Sequence, residues 1–207
     1  VRQAGIIKSA LQLAVSEFSG KKAAITEPRT QQDISMKMIL SLLIATLVAT
    51  LVFFQFGVLG NWVQTIVALA IVFVIAFLFT TVAANAIAIV GSNPVSGMTL
   101  MTLILSSLVL VSIGLEGESG MIAALVIGGV VCTALSMAGG FITDLKVGYW
   151  LGTTPKKQQT WKFVGTFVSA ATVAGVMIIM NETYGFTGEG ALVAPQANAM
   201  AAVIKPL

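Results

Sequence analysis

The sequence has no histidine, one cysteine (Cys132) and five prolines in 207 residues. Without histidine, and with a lone cysteine, a zinc site of the usual kind lacks its ligands and a disulfide framework is excluded. Charge is scarce as well. Asp, Glu, Lys and Arg make up 9% of the chain, against roughly a quarter in an ordinary soluble domain. A chain that is 57% hydrophobic, with a mean hydropathy of +0.98, is neither a soluble globular domain nor a disordered one. Its net charge of +3 and pI near 9.2 could point to nucleic acid on a soluble domain. Here the basic residues flank apolar runs, so they read as membrane topology signals and no nucleic-acid partner is expected.

What the chain does have is apolar length. Residues 38–115 carry no charge at all. A hydrocarbon core about 30 Å thick needs about 20 apolar residues per helix, so this stretch holds about three crossings. Further apolar runs cover 121–140 and 163–181. Residues 1–30 are polar and mixed in charge, with no apolar core of a signal peptide. The chain opens on Val1 and closes at Leu207 just after another apolar run has begun, and the expectation is a piece of a longer protein. The expected fold is all-α integral membrane, with about five transmembrane helices, a Gly/Pro-broken element and an N-terminal amphipathic helix. Residues 1–37 form the amphipathic helix and a loop; 38–207 form the transmembrane part, interrupted by a loop at 141–162.

Ile7, Leu11, Ala14, Val15 and Phe18 recur at helical spacing over residues 1–19, with Lys8, Gln12 and Glu17 on other faces. That pattern predicts an amphipathic helix on or under the membrane. Asp33 is placed to cap the first crossing, about 36–56. Gly57, Gly60 and Asn61 make a turn, and Trp62 opens the second run as an interfacial aromatic. That run reaches Val90, about 43 Å of helix, so it must tilt, protrude or break. Lys and Arg set orientation. Segment 1–37 holds six and 141–162 holds four, while the other loops hold none. Five alternating crossings put both basic segments and the 91–97 break on one side, expected to be cytoplasmic. A re-entrant third run would invert the rest.

The break is Gly91-Ser92-Asn93-Pro94-Val95-Ser96-Gly97, followed by a short run over 98–113. No helix passes undisturbed through such a sequence. Discontinuous membrane helices expose backbone groups at membrane depth, tolerated where they line a cavity, and transporters use them to bind substrate. Ser96 can cap the next helix, whose N-terminus would favour a carboxylate. Asn85, Ser92, Asn93, Ser96, Gly97 and Thr99, with Pro94 ending the helix, are the candidate substrate-binding residues, and Thr102 can add a polar contact. The plain alternative is a turn between two helices, with Asn85 in a helix–helix hydrogen bond.

Four stretches in order resemble the oligopeptide transporter (OPT) superfamily, in particular its bacterial branch, to which plant yellow-stripe metal-chelate carriers are related. Gly91-Ser-Asn-Pro-Val-Ser-Gly-Met-Thr99 is the first. Arg29-Thr-Gln-Gln-Asp-Ile-Ser-Met-Lys37 is similar to the entry to a membrane helix in that family. Asp144-Leu-Lys-Val-Gly-Tyr-Trp-Leu-Gly-Thr-Thr-Pro-Lys-Lys-Gln-Gln159 resembles its cytoplasmic D-L-K-x-G-[YF]-x-x-G-x-[TS]-P-x-K-Q-Q motif. Ala194-Pro-Gln-Ala197 resembles its L-P-A-P-Q-A segment, with Val193 in place of the first proline. The break also lacks an extra Ser or Asn that family versions often carry. The resemblance implies the later part of a secondary active transporter of oligopeptides, coupled to protons, with the rest of the same chain as partner. A chelate carrier of the yellow-stripe kind and a non-transporting scaffold are the alternatives.

A proton carrier in a membrane is usually a carboxylate or histidine. There is no histidine and residues 38–115 hold no carboxylate, so the main coupling residue is expected outside these 207 residues. Of the carboxylates present, Asp144 comes first, ahead of Glu116, Glu118, Glu182 and Glu189, although a capping role or a pair with Lys146 is the simpler reading. Gly148 and Gly152 form a G-x-x-x-G pair that permits close helix approach. Lys156 and Lys157 read as topology anchors, with an anionic-lipid contact as second reading. An enzyme would need convergent nucleophiles, acids or metal ligands; none is evident, so neither catalysis, metal nor cofactor is expected. Cys132 reads as packing. Whether the protein forms a homo-oligomer is open.

Overall fold

The computed structural model describes residues 28–92, 95–115, 117–186, 188 and 195–204. The expected amphipathic helix over 1–19 lies outside the described residues. Among the described residues six α-helices follow one another: α1 Met36–Phe53, α2 Trp62–Val90, α3 Val95–Ser112, α4 Gly117–Trp150, α5 Pro155–Tyr184 and α6 Pro195–Ile204. Among the described residues there is no strand. Four of the helical spans are long and apolar enough to cross a membrane, and α3 is a shorter apolar helix. A helix satisfies its own backbone hydrogen bonds, which is what an apolar span in lipid demands.

Sequence signals account for most boundaries. α1 runs into a π-helical segment, Phe54–Leu59, that ends at Gly60. Asn61 caps α2 by accepting from the Val63 N–H at 3.0 Å. α2 ends where Gly91 takes φ 78°, a left-handed conformation that suits glycine. Pro155 opens α5, where its missing N–H costs nothing.

α2, α3 and α4 form the packed centre. One cluster joins Phe54, Ala68 and Val72 to Leu110, Ala123, Ala124 and Ile127; a second joins Ala83 and Ile87 to Val131 and Leu135, with Val95 and Met98 against it. The start of α2 thus meets the end of α3 and the start of α4. So α2 and α4 run parallel, with α3 antiparallel to both. Gly128 lets α3 approach: a Cβ there would lie 2.5 Å from Leu103 Cδ2, the small-residue contact expected between membrane helices. The buried hydroxyls of Thr99, Thr102, Ser106 and Ser107 are satisfied within α3, bonding carbonyls three or four residues back. Ile204 of α6 is buried against the end of α3 and the start of α4.

α1 and α5 are different: neither has a buried residue. α5 touches α4 near its start, where Thr166 meets Met137, and is exposed along nearly all its remaining length.

The structure corrects several expectations. The polar stretch 141–162 is no loop. α4 continues through Gly139-Gly140 to Trp150, the chain turns over 151–154, and α5 begins at Pro155. Charged side chains do not end a helix once it has left the hydrocarbon, and helical hydrogen bonding carries on through Asp144 and Lys146. Asp144 therefore sits inside a helix and caps nothing. Asp33 is not the cap of α1; Ser35 holds that position. α3 starts at Val95, so Ser96 is inside the helix rather than before it. The short third run is 18 residues long. The Gly148/Gly152 pair splits into two roles: Gly148 is buried under the Gln158 side-chain amide, and Gly152 makes the turn at φ 68°.

Candidate functional site

Two places carry the sequence candidates, and α4 stands between them. At the α2–α3 break, Ser92 and Gly97 are exposed. Asn93 and Pro94 lie outside the described residues, as does the side chain of Ser96. Thr99 is 3% exposed, and its hydroxyl donates to the Val95 carbonyl at 2.7 Å. Asn85 is half-buried. It lies two residues from both Ala83 and Ile87, which face the core, so helical geometry puts it on the opposite side of α2. With Leu103 opposite Gly128, antiparallel register sets the break level with about residues 137–140 of α4, and α4 projects about 15 Å beyond it.

Asp144 is on the other side of α4. Leu135 and Ile142 face α2 and α3, whereas Met137, Ala138 and Phe141 face α5. Asp144 falls on the side of α4 away from Leu135, and its carboxylate pairs with Lys162 of α5. The expected local partner, Lys146, instead lies over the Trp150 ring at 5.9 Å, a cation–π distance. The structure does not bring Asp144 together with the α2–α3 break.

What it does bring together are two segments more than 120 residues apart. The Arg29 guanidinium donates to the Gly152 carbonyl at 3.3 Å. The Lys156 N–H, at the start of α5, donates to the Gln32 carbonyl at 2.9 Å. The Gln159 side chain accepts from the Ile34 N–H at 2.8 Å and donates to the Asp33 carboxylate at 2.8 Å. The entry to α1 thus satisfies a carbonyl at the end of α4 and an N–H at the start of α5, groups that helix ends leave open. The basic segments, expected on one side from their charges, meet directly.

Beside this junction, Ile34, Ile39, Met137, Phe141 and Phe163, with Gln159, Lys162 and Thr166, line a cavity of about 330 Å³. It is mainly apolar, with an amide, an ammonium and a hydroxyl spaced along the α5 side. The sequence placed Gln159 at the end of a family-like motif but gave it no role, and did not reveal this cleft. The signal available was that both basic segments belong on one side. Among the described residues, no three of His, Cys, Asp and Glu come together in a way that could hold a metal ion.

The family model described as OPT oligopeptide transporter protein matches residues 2–207. A Haemophilus influenzae protein named "Putative oligopeptide transporter" is 31% identical over 205 residues, covering 86% of this chain and 32% of that protein. The chain thus spans about a third of the length of this curated relative. No solved structure matches the chain. With the family match running along nearly the whole sequence, and long apolar helices beneath it, this chain belongs to the OPT oligopeptide transporter family.

Proposed function

We propose that this chain is part of a secondary active transporter that carries oligopeptides across a bacterial inner membrane, driven by protons, with the junction of 29–34 and 151–159 on the cytoplasmic side. The family match over residues 2–207 carries this reading. The lysines and arginine at one end of the helices support the orientation, since cytoplasmic ends of membrane helices are enriched in basic residues.

In this reading the α2–α3 break, with Asn85, Ser92, Asn93, Pro94, Ser96, Gly97 and Thr99, contributes to peptide binding. The start of α3 offers backbone N–H groups to a peptide carboxylate. Asp144 takes part in coupling. Its pairing with Lys162 supports that role. A proton on Asp144 cancels its charge and releases Lys162 from the pair between α4 and α5.

The test is uptake of labelled tri- to pentapeptides into proteoliposomes holding the full parent chain, with and without an inward proton gradient. Gradient-driven uptake, lost in Asn93→Ala and uncoupled from the gradient in Asp144→Asn, is the expected result. No peptide uptake by folded protein overturns the peptide assignment, and uptake of metal chelates in its place would identify the cargo. No uptake of either leaves a scaffold.

A further inference from the structure

α1 and α5 bury no residue of their own in a helix–helix interface. What ties them together is polar and local. Four hydrogen bonds run between residues 29–34 and the α4–α5 turn with the first residues of α5. Two clamp residues, Ile34 and Gln159, also line the cavity between α1, α4 and α5. The clamp therefore forms the wall of that cavity at the basic end of the molecule. Gln159 is its centre, because one side-chain amide holds two partners of opposite polarity, the Ile34 N–H and the Asp33 carboxylate.

We propose that this clamp is a gate that closes the basic end of the cleft between α1, α4 and α5, and that it opens by parting Gln159 from Asp33 and Ile34. The inference rests on the transporter reading. The chemistry suits the task. Hydrogen bonds at the edge of the membrane, where water can replace them, separate at modest cost. A packed apolar interface such as that of α2, α3 and α4 does not offer that exchange. Opening would move α1 relative to α5 while the packed centre stays intact.

The bond polarity provides a specific test. Gln159→Glu keeps an oxygen for the Ile34 N–H but sets a second carboxylate against Asp33. Adding Asp33→Asn restores the bond with donor and acceptor exchanged. In the full parent chain, a cysteine at Thr166, a half-buried residue lining the cleft, is reacted with a membrane-impermeant maleimide, applied to each face of sealed vesicles in turn. Peptide uptake is measured in the same preparation. The expected result is labelling about tenfold faster in Gln159→Glu, the scale of losing one hydrogen bond to a charged group. It appears from the basic face only and returns to the parent rate in Asp33→Asn/Gln159→Glu. Equal labelling of the parent and Gln159→Glu, with peptide uptake intact in the parent, overturns the gate and leaves the transporter reading standing. Faster labelling that the double variant does not reverse overturns it too, because it marks general loosening. Absence of uptake in the parent strikes the transporter reading instead. Should Gln159→Glu fail to fold, Arg29→Gln, which gives up the bond to Gly152, is read by the same labelling and must show the same one-sided increase.

Discussion

Thr65 is 0% exposed and its hydroxyl donates to Gln55 Oε1 at 2.9 Å, while Gln55 Nε2 donates to the Gly60 carbonyl at 3.0 Å. This small network pins the π-helical segment onto α2 where lipid offers no replacement partner. Thr65→Val is expected to destabilise the parent protein by about 1–3 kcal/mol, the penalty of an orphaned buried acceptor, and Thr65→Ser by much less. Thermal unfolding in detergent reads both. Asp144 is the opposite case. The Lys162 and Asp144 side chains are 32% and 54% exposed, and an ion pair in such a setting contributes about 0–1 kcal/mol. Asp144→Asn is therefore expected to leave thermal stability nearly unchanged. A loss of gradient-driven uptake in that variant would then report coupling rather than folding.

At the scale of the element, Gly91 and α4 carry the predictions. Gly91 ends α2 at φ 78° with open space around it. Gly91→Ala meets no clash but must hold a left-handed backbone, at a cost of about 1–2 kcal/mol in the same thermal assay. In α4, residues 141–150 are helical despite Asp144 and Lys146. Amide hydrogen exchange is expected to be slow through 141–149, with protection falling off only over 151–153, where the last N–H groups still donate to the carbonyls of residues 147–149; loop-like exchange from 141 onward would refute the continuous helix. The starts of α2 and α3 show how much of this was legible. Trp62 after Asn61, and the charge-free run to Val90, placed α2 at its observed bounds. The Gly91–Pro94 sequence separated it from α3. The end of α4 was not legible, because Gly139-Gly140 followed by charged residues looks like an exit from the helix. It is only an exit from the hydrocarbon.

For the molecule as a whole, the core pairings place three connections at one end: the entry to α1, the α2–α3 break and the α4–α5 turn. The π-helical turn before α2 and the α3–α4 connection lie at the other. Single cysteines at Ser92 and Lys157 are expected to react with an impermeant reagent from one face of sealed vesicles, and a cysteine at Glu118 from the other. Reaction of Ser92→Cys and Lys157→Cys from opposite faces would mean that the third crossing is re-entrant and the core register wrong. The bare outer sides of α1 and α5 show that this stretch is not a closed bundle. Lipid or further helices must meet those sides.

Composition and order along the chain settled the class of this protein. Charge-free length requires membrane helices, basic flanks set an expected orientation, and four ordered motifs point to a family. All of these are local properties of a sequence in a solvent that forbids unpaired backbone. Gln159 meeting Asp33, α4 parting Asp144 from the break, and Gly128 admitting Leu103 are different. Each depends on which helix faces which, and in lipid almost any apolar face can pair with any other. Only the three-dimensional packing of small residues and a few polar contacts selects one arrangement.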